Sequence, residues 1–210
     1  MKAPRAMILA AGLGTRLGEL SALRPKPMLP VCGTPLVRWA ALWLRDQGVR
    51  EVVVNLHHLG GQIEAELGDG SALGMAIAYS REEGQILGTG GALRHARRLL
   101  DDGRGTPIVI VNGKILLELE LARVLAAHRE KRAEATMVLR PDPDAERWGS
   151  LRVGPDGDIV GLLGSLRPGA EAAEPLMFTG VHVVEPGFLD RIPPEGPQCV
   201  IRTAYAELFR

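Results

Sequence analysis

Cysteine is scarce in this chain, and that scarcity excludes several classes of protein at once. Only Cys32 and Cys199 occur in 210 residues, too few and too far apart for a disulfide framework, and no Cys/His spacing matches a zinc site. The pattern suits a reducing, cytoplasmic setting. An excess of either charge is also lacking, since Lys plus Arg (25) equals Asp plus Glu (25). No nucleic-acid partner and no solvating acidic tail is therefore indicated, and any charge that matters is local. Long hydrophobic runs are missing too. The first residues hold an apolar run of about seven, short of a secretory core and far short of a membrane span, so the segment reads as a first strand and no membrane partner is implied.

What is present is 46% apolar residues, 24% charged and 4% aromatic, the profile of one compact domain over residues 1–210. Ala6 to Ala10 is a short apolar run that opens into a glycine loop, as a buried strand does. Thr34 and Pro35 read as an N-cap and first-turn pair for a helix through Leu36, Trp39, Ala40 and Trp43 that stops at Gly48. Further strands are predicted at Glu51 to Asn55, Met75 to Ser80, Pro107 to Val111 and Ala135 to Arg140. Helices fall between them, near Gly61 to Leu67, Ala92 to Leu100 and around Leu121 to His128. The alternation predicts an α/β fold, Rossmann-like, with a mostly parallel central sheet flanked by helices. After Trp148 the texture changes. Leu151 to Val153 and Ile159 to Leu163 flank the turn G-P-D-G-D and predict a β-hairpin extension, Leu166 to Pro175 reads as a mobile loop, and Met177 to Val184 as one more strand.

In open parallel sheets ligands sit beyond the carboxyl ends of the strands, so the loop after the first strand is a candidate site. Gly12 and Gly14 let the backbone turn sharply and present consecutive N–H groups to phosphate oxygens, with Thr15 and Arg16 following. Arg16 adds a guanidinium fork suited to phosphate, and Lys26, held between Pro25 and Pro27, adds a stiffly mounted ammonium. Gly12, Gly14 and Gly18 are also compatible with a dinucleotide-binding fold. That alternative requires a helix beginning in the loop and an acidic residue after the second strand, where this chain has Pro25, Pro27, Pro30 and Asn55.

L-A-A-G-L-G-T-R (Leu9 to Arg16) followed by R-P-K-P-M-L-P (Arg24 to Pro30) resembles the signature of the sugar-1-phosphate nucleotidyltransferases. The resemblance extends through V-N-L-H-H (Val54 to His58), L-G-D-G-S (Leu67 to Ser71), L-G-T-G-G-A-L (Leu87 to Leu93), V-N-G (Val111 to Gly113) and F-T-G-V-H-V (Phe178 to Val183). Within that family the chain is most similar to the small bacterial enzymes acting on mannose-1-phosphate or N-acetylmuramate-1-phosphate. The resemblance implies a nucleoside triphosphate and a sugar 1-phosphate as substrates, giving a nucleotide sugar and pyrophosphate, with Mg²⁺ as cofactor. It implies that Leu9, Ala10, Ala11, Gly12, Gly14, Thr15 and Arg16 form the nucleotide loop, Arg16 and the amides holding the β and γ phosphates. Lys26 would meet the α-phosphate and the sugar phosphate, making Arg16 and Lys26 the catalytic pair. Gly90 and Gly91 would let base and ribose lie against the backbone, and Asn112 would approach the nucleotide and metal. The sugar-phosphate side would comprise Lys26, Gly149, Thr179 and Gly180. Residues 1–113 would then form the nucleotide half and residues 114–210 the sugar-phosphate half, without the family's usual C-terminal segment.

The chain departs from the family pattern where the metal is expected. The family's V-N-G-D reads V-N-G-K here, with Lys114 in place of the metal-binding Asp, and the family's second metal Asp has no counterpart before Arg210. An ammonium has no lone pair to offer Mg²⁺, which takes hard oxygen ligands. Lys114 is one of only four lysines against 21 arginines. Three accounts are open: the ammonium replaces the ion's charge, the domain is a non-catalytic nucleotide-binding regulatory subunit, or the chain is an altered or shortened form of an active enzyme. Glu-Lys-Pro, the family's sugar contact, appears as Leu166, Arg167, Pro168, and Phe178 stands where Asn is frequent.

Other residues carry plainer expectations. Glu118 and Glu120 read as solvated acids at a helix start, His57 and His58 as structural, and Asp101, Asp102, Asp142 and Asp144 as solvent-facing turn residues. Trp39 and Trp43 read as core packing and Cys32 as a small hydrophobe in an apolar stretch. Base, sugar and oligomeric state are not encoded legibly.

Overall fold

The computed structural model describes residues 3–116, 118–170 and 174–210, with the side chains of Arg16 and Trp148 outside the description. Strand β1 (Arg5–Leu9) leads through the glycine loop and helix α1 (Leu20–Leu23) to a two-stranded ribbon, β2 (Pro30–Val31) and β3 (Thr34–Pro35). Helix α2 (Leu36–Asp46) precedes β4 (Glu51–Leu56), and α3 (Gly60–Leu67) precedes β5 (Ala76–Arg81). Helices α4 (Gly88–His95) and α5 (Arg97–Leu100) lead to β6 (Ile108–Asn112), and α6 (Leu121–Glu130) to β7 (Ala135–Pro141). After α7 (Ala145–Trp148) come β8 (Arg152–Val153), β9 (Ile159–Leu162) and β10 (Ser165–Leu166), then the long β11 (Leu176–Val184) and, further on, α8 (Ala206–Phe209).

The main sheet has the order β5-β4-β1-β6-β11-β7. Strands β5, β4, β1 and β6 pair in parallel, while β11 runs antiparallel to both β6 and β7. The chain turns from one side of β1 to the other between β4 and β6, the topological switch at which open α/β sheets bind ligands. Alternation along the strands fills two cores. Ala6, Ile8, Val52, Val54, Val109, Val111, Val181 and Val183 face one side, where α2 lays down Val37, Ala40, Ala41 and Leu44. Met7, Val53, Ile108, Ile110 and Val184 face the other, against Ala92, Leu93, Leu100 and Phe188. This is the predicted α/β architecture.

The structure revises several local expectations. Thr34 is not a helix cap: Cys32 and Gly33 have φ of 50° and 76° and turn β2 back on β3, the left-handed pair that a tight two-residue hairpin requires. That turn leaves Cys32 exposed, not packed in a core. Trp39, 36% exposed, sits outside the core as well and donates its indole N–H to Val31 O at 3.1 Å, fastening the ribbon to α2. The predicted helix over Ala92 to Leu100 begins four residues earlier, at Gly88, and is divided at Ala96. The hairpin forms as predicted and gains a third strand, since Ser165 and Leu166 pair with Leu162 and Gly161. Of the loop expected over Leu166 to Pro175, Leu166 thus belongs to a strand, and residues 171–173 lie outside the described residues.

Two buried histidines punctuate β11 and α6. His182 Nδ1 and the Tyr205 hydroxyl lie 2.8 Å apart, and burial pushes the imidazole down to about 3 and the phenol well above its ordinary range. His128 bridges Thr136 Oγ1 and Glu185 Oε1 at 2.8 and 3.1 Å. Among the described residues no helix is long and apolar enough to cross a membrane.

Candidate functional site

The carboxyl end of β1 opens into a cavity of about 110 Å³ lined by Leu9, Ala10, Gly12, Gly14, Thr15, Lys26, Pro27 and Lys114. Six of these eight are sequence-predicted site residues, and Lys114 is the anomaly at the expected metal position. A larger, mostly apolar groove of about 540 Å³ lies beside Val31, Trp39, Trp43 and Leu116, but the polar groups that could hold an anion converge in the smaller cavity.

The glycine loop is shaped by its backbone. Gly14 has φ of 67°, a left-handed turn, and its Cα faces Lys26, whose Cβ would lie 3.5 Å from a Gly14 side chain. The N–H groups of Gly12, Leu13 and Gly14 have no carbonyl partner among the described residues. Such groups beside a cavity are ready donors to an anion. Beyond them the loop closes on itself, Leu17 donating to Gly14 O at 2.8 Å. The Arg16 side chain lies outside the described residues.

Lys26 is mounted as its flanking prolines dictate. Pro25 and Pro27 are buried, the first caps a short 3-10 turn over Lys26–Met28, and Met28 donates to Pro25 O at 2.8 Å. The lysine itself is half-buried and reaches the cavity. Lys114, which follows Gly113, lines the same cavity. Gly113 donates to Leu9 O at 3.0 Å, and a side chain at Gly113 would meet Ile8 Cγ2 at 2.8 Å, so only glycine lets β6 turn this close to β1.

A buried polar chain supports the loop, and sequence reasoning did not find it. Ala10 N–H donates to Asn55 Oδ1 at 2.8 Å, Asn55 Nδ2 donates to Glu82 Oε1 at 2.6 Å, and Leu87 N–H donates to Glu82 Oε2 at 2.7 Å. Asn55 and Glu82 are 3% and 5% exposed. One carboxylate thus ties the first residue of the loop to the turn before α4. Asn55 is the penultimate residue of β4, and Glu82 directly follows the last residue of β5. His57 and His58 are structural as expected: each points a ring N–H at a carbonyl, Glu82 O at 2.9 Å and Ser21 O at 2.7 Å.

The remaining predicted residues divide. Asn112 pairs in register with Leu9 across β6 and β1, at the cavity's edge, and its side chain packs on Gly180. Thr179 donates its hydroxyl to Val138 O at 2.8 Å and accepts from Val181 N–H at 3.3 Å, inside the irregularity where β11 shifts register against β7. Its hydroxyl is engaged by the backbone on both sides. Gly149 caps α7 with φ of 88°, exposed. Gly90 and Gly91 are buried, and the close approach they permit is made by this chain itself: Gly90 N–H donates to Gln198 O at 2.8 Å, and a Gly90 side chain would meet Gln198 Cβ at 3.0 Å. Both glycines pack against Gln198.

The lining does not suit a divalent metal. Among the described residues it contains two ammonium groups and no carboxylate, and no three His, Cys, Asp or Glu side chains are grouped to hold an ion. Glu118 and Glu120 lie at the approach to α6, with Glu120 as its N-terminal flank.

The family model described as Nucleotidyl transferase matches residues 5–194. The chain is 37% identical over 190 residues to the N-acetylmuramate alpha-1-phosphate uridylyltransferase of Neisseria meningitidis serogroup B, covering 90% of this chain and 78% of that protein. To the mannose-1-phosphate guanylyltransferase of Mycobacterium tuberculosis it is 32% identical over 204 residues, covering 97% of this chain and about half, 55%, of the relative. Among solved structures, HddC from Yersinia pseudotuberculosis complexed with GMP-PN superposes with a TM-score of 0.75 at 23% identity, covering 94% of this chain and 83% of that one, a likeness of fold. The matched span contains β1, its glycine loop, Lys26 and the β6 turn, and the chain belongs to the nucleotidyl transferase family.

Proposed function

We propose that the cavity at the end of β1 holds the phosphates of a nucleoside triphosphate, and that the protein is built for transfer of a nucleoside monophosphate to a sugar 1-phosphate. The observation that carries this is the convergence of open loop amides and the Lys26 ammonium on one cavity at the sheet's switch point. In the reaction a sugar-phosphate oxygen attacks the α-phosphorus, the bond to the β-phosphate oxygen breaks, and pyrophosphate leaves. The chain's contribution is to hold attacker and leaving group in line and to neutralise oxygen charge, with Lys26 placed at the transferred phosphate. Most nucleotide contacts come from residues 1–113, and the sugar phosphate is met by Lys26 together with residues 114–210. Turnover is slowed by Lys114, because the lining offers no carboxylate for the ion that the family resemblance implies.

A second reading, a regulatory subunit that binds nucleotide or nucleotide sugar without turnover, is favoured by Lys114 in the cavity and by the commitment of the Thr179 hydroxyl to Val138. Both readings require triphosphate binding. Lys26→Ala should weaken UTP or GTP affinity by calorimetry by roughly 1.5–3 kcal/mol, the worth of a charged hydrogen bond. Unchanged affinity would overturn the site assignment. Pyrophosphate release with a panel of sugar 1-phosphates separates enzyme from binder, since only the first reading yields product.

A further inference from the structure

We propose that this chain grips the phosphate tail of its ligand without a divalent metal, the ammonium groups of Lys26 and Lys114, which line one cavity, supplying the positive charge. The inference rests on the nucleotide site proposed above and concerns what neutralises the ligand there.

Both cations are built in by the backbone. The Gly113 N–H to Leu9 O bond, with no room for a side chain at Gly113, fixes where residue 114 leaves the turn. The buried Pro25 and Pro27 hold Lys26. The cavity that the two lysines line, of about 110 Å³, is small beside the apolar groove of about 540 Å³.

The chemistry of the lining selects the occupant. Each ammonium has three donors and no lone pair, so neither can ligate Mg²⁺, and both repel it. A multiply charged anion in the cavity is attracted by both ammonium groups. The loop amides add donors of the same sense. A polyphosphate stripped of its metal therefore fits better than its magnesium complex, whose charge is already partly neutralised.

The test is calorimetric titration of the intact chain with inorganic pyrophosphate and with UTP, in EDTA and in Mg²⁺. The parent should bind pyrophosphate in EDTA, and Mg²⁺ should leave the affinity unchanged or lower it. Lys114→Ala should bind ~10-fold or more weakly in EDTA, as for a lost charged hydrogen bond, and Lys114→Arg should recover most of that loss. Lys114→Asp should reverse the ion's effect, binding weakly in EDTA and more tightly with Mg²⁺. Residue 114 is exposed, and matching melting temperatures among the variants check that each is folded. A parent that binds only when Mg²⁺ is present overturns the inference while leaving the nucleotide site standing, and so does a Lys114→Asp protein with the parent's response to the ion. A parent that binds neither probe in either condition overturns the site itself.

Discussion

The carboxamide of Asn112 occupies the space where a side chain on Gly180 would begin, since a Cβ placed at Gly180 would collide with Asn112 Nδ2. Gly180 has φ of 88° and lies in the irregular stretch of β11, so the last residue of β6 dovetails with a kink in its antiparallel neighbour. Gly180→Ala should cost roughly 2–4 kcal/mol, part from the left-handed backbone and part from overpacking. Urea denaturation checks this. Adding Asn112→Ala should recover the steric share and leave the backbone share, and a single mutant as stable as the parent would refute the account.

Glu82 is the acceptor on which two buried donors depend. Glu82→Leu leaves Asn55 Nδ2 and the Leu87 N–H without their partner, at roughly 1–3 kcal/mol each. Glu82→Gln keeps one acceptor oxygen and should fall between parent and Leu variant. Because Asn55 also receives the Ala10 N–H, triphosphate affinity should fall in the same order. A Leu variant with the parent's melting temperature would show that the chain of bonds is not worth what its geometry implies.

His182 makes stability depend on pH. Its folded imidazole is held down to about 3, below the unfolded value of 6.5, because burial penalises the charged form. Between these values the unfolded chain binds more protons than the folded one, so stability falls as pH drops through the window, by up to ~1.4 kcal/mol per pH unit from this residue. Above about pH 6.5 the contribution is constant. His182→Gln should flatten the slope of unfolding free energy between pH 6 and roughly 4, and an unchanged slope would rule His182 out as its source.

Gly90 discriminates between packing and ligand contact. Gly90→Ala places a methyl 3.0 Å from Gln198 Cβ and 3.1 Å from Val200 N, and should lower stability by roughly 1–3 kcal/mol while leaving triphosphate affinity within about twofold. The opposite result, full stability with lost binding, would restore the base-contact role that the family resemblance implies.

Much of this arrangement is legible in the sequence because the determinants are local. The apolar run of β1, the glycines after it and the prolines around Lys26 act on their own backbone, and periodicity announces α2, α3 and α6. What escaped depends on partners distant in sequence. Asn55 and Glu82 look like ordinary polar residues until β4 and β5 bring them together under Ala10. Gly90 and Gly91 look like a ligand's bed until residue 198 comes to lie on them. Cys32 and Thr34 were misassigned for a different reason: a left-handed cysteine beside a glycine makes a tight hairpin that composition does not announce. Thr179 belongs to the same class as Glu82, since its acceptor, Val138 O, is supplied by another strand.

The antiparallel insertion of β11 has a consequence for assembly on the ribosome. Among the described residues strand β7 is joined to the sheet only through β11, which follows it in the chain, so a nascent polypeptide ending before residue 176 has an unzipped border on β6 and an orphan ribbon at 135–141. Open borders of that kind are templates for pairing with other chains. Closure of the sheet is therefore a late event in synthesis, and the kink at Gly180 is set in place only by the strand that completes it.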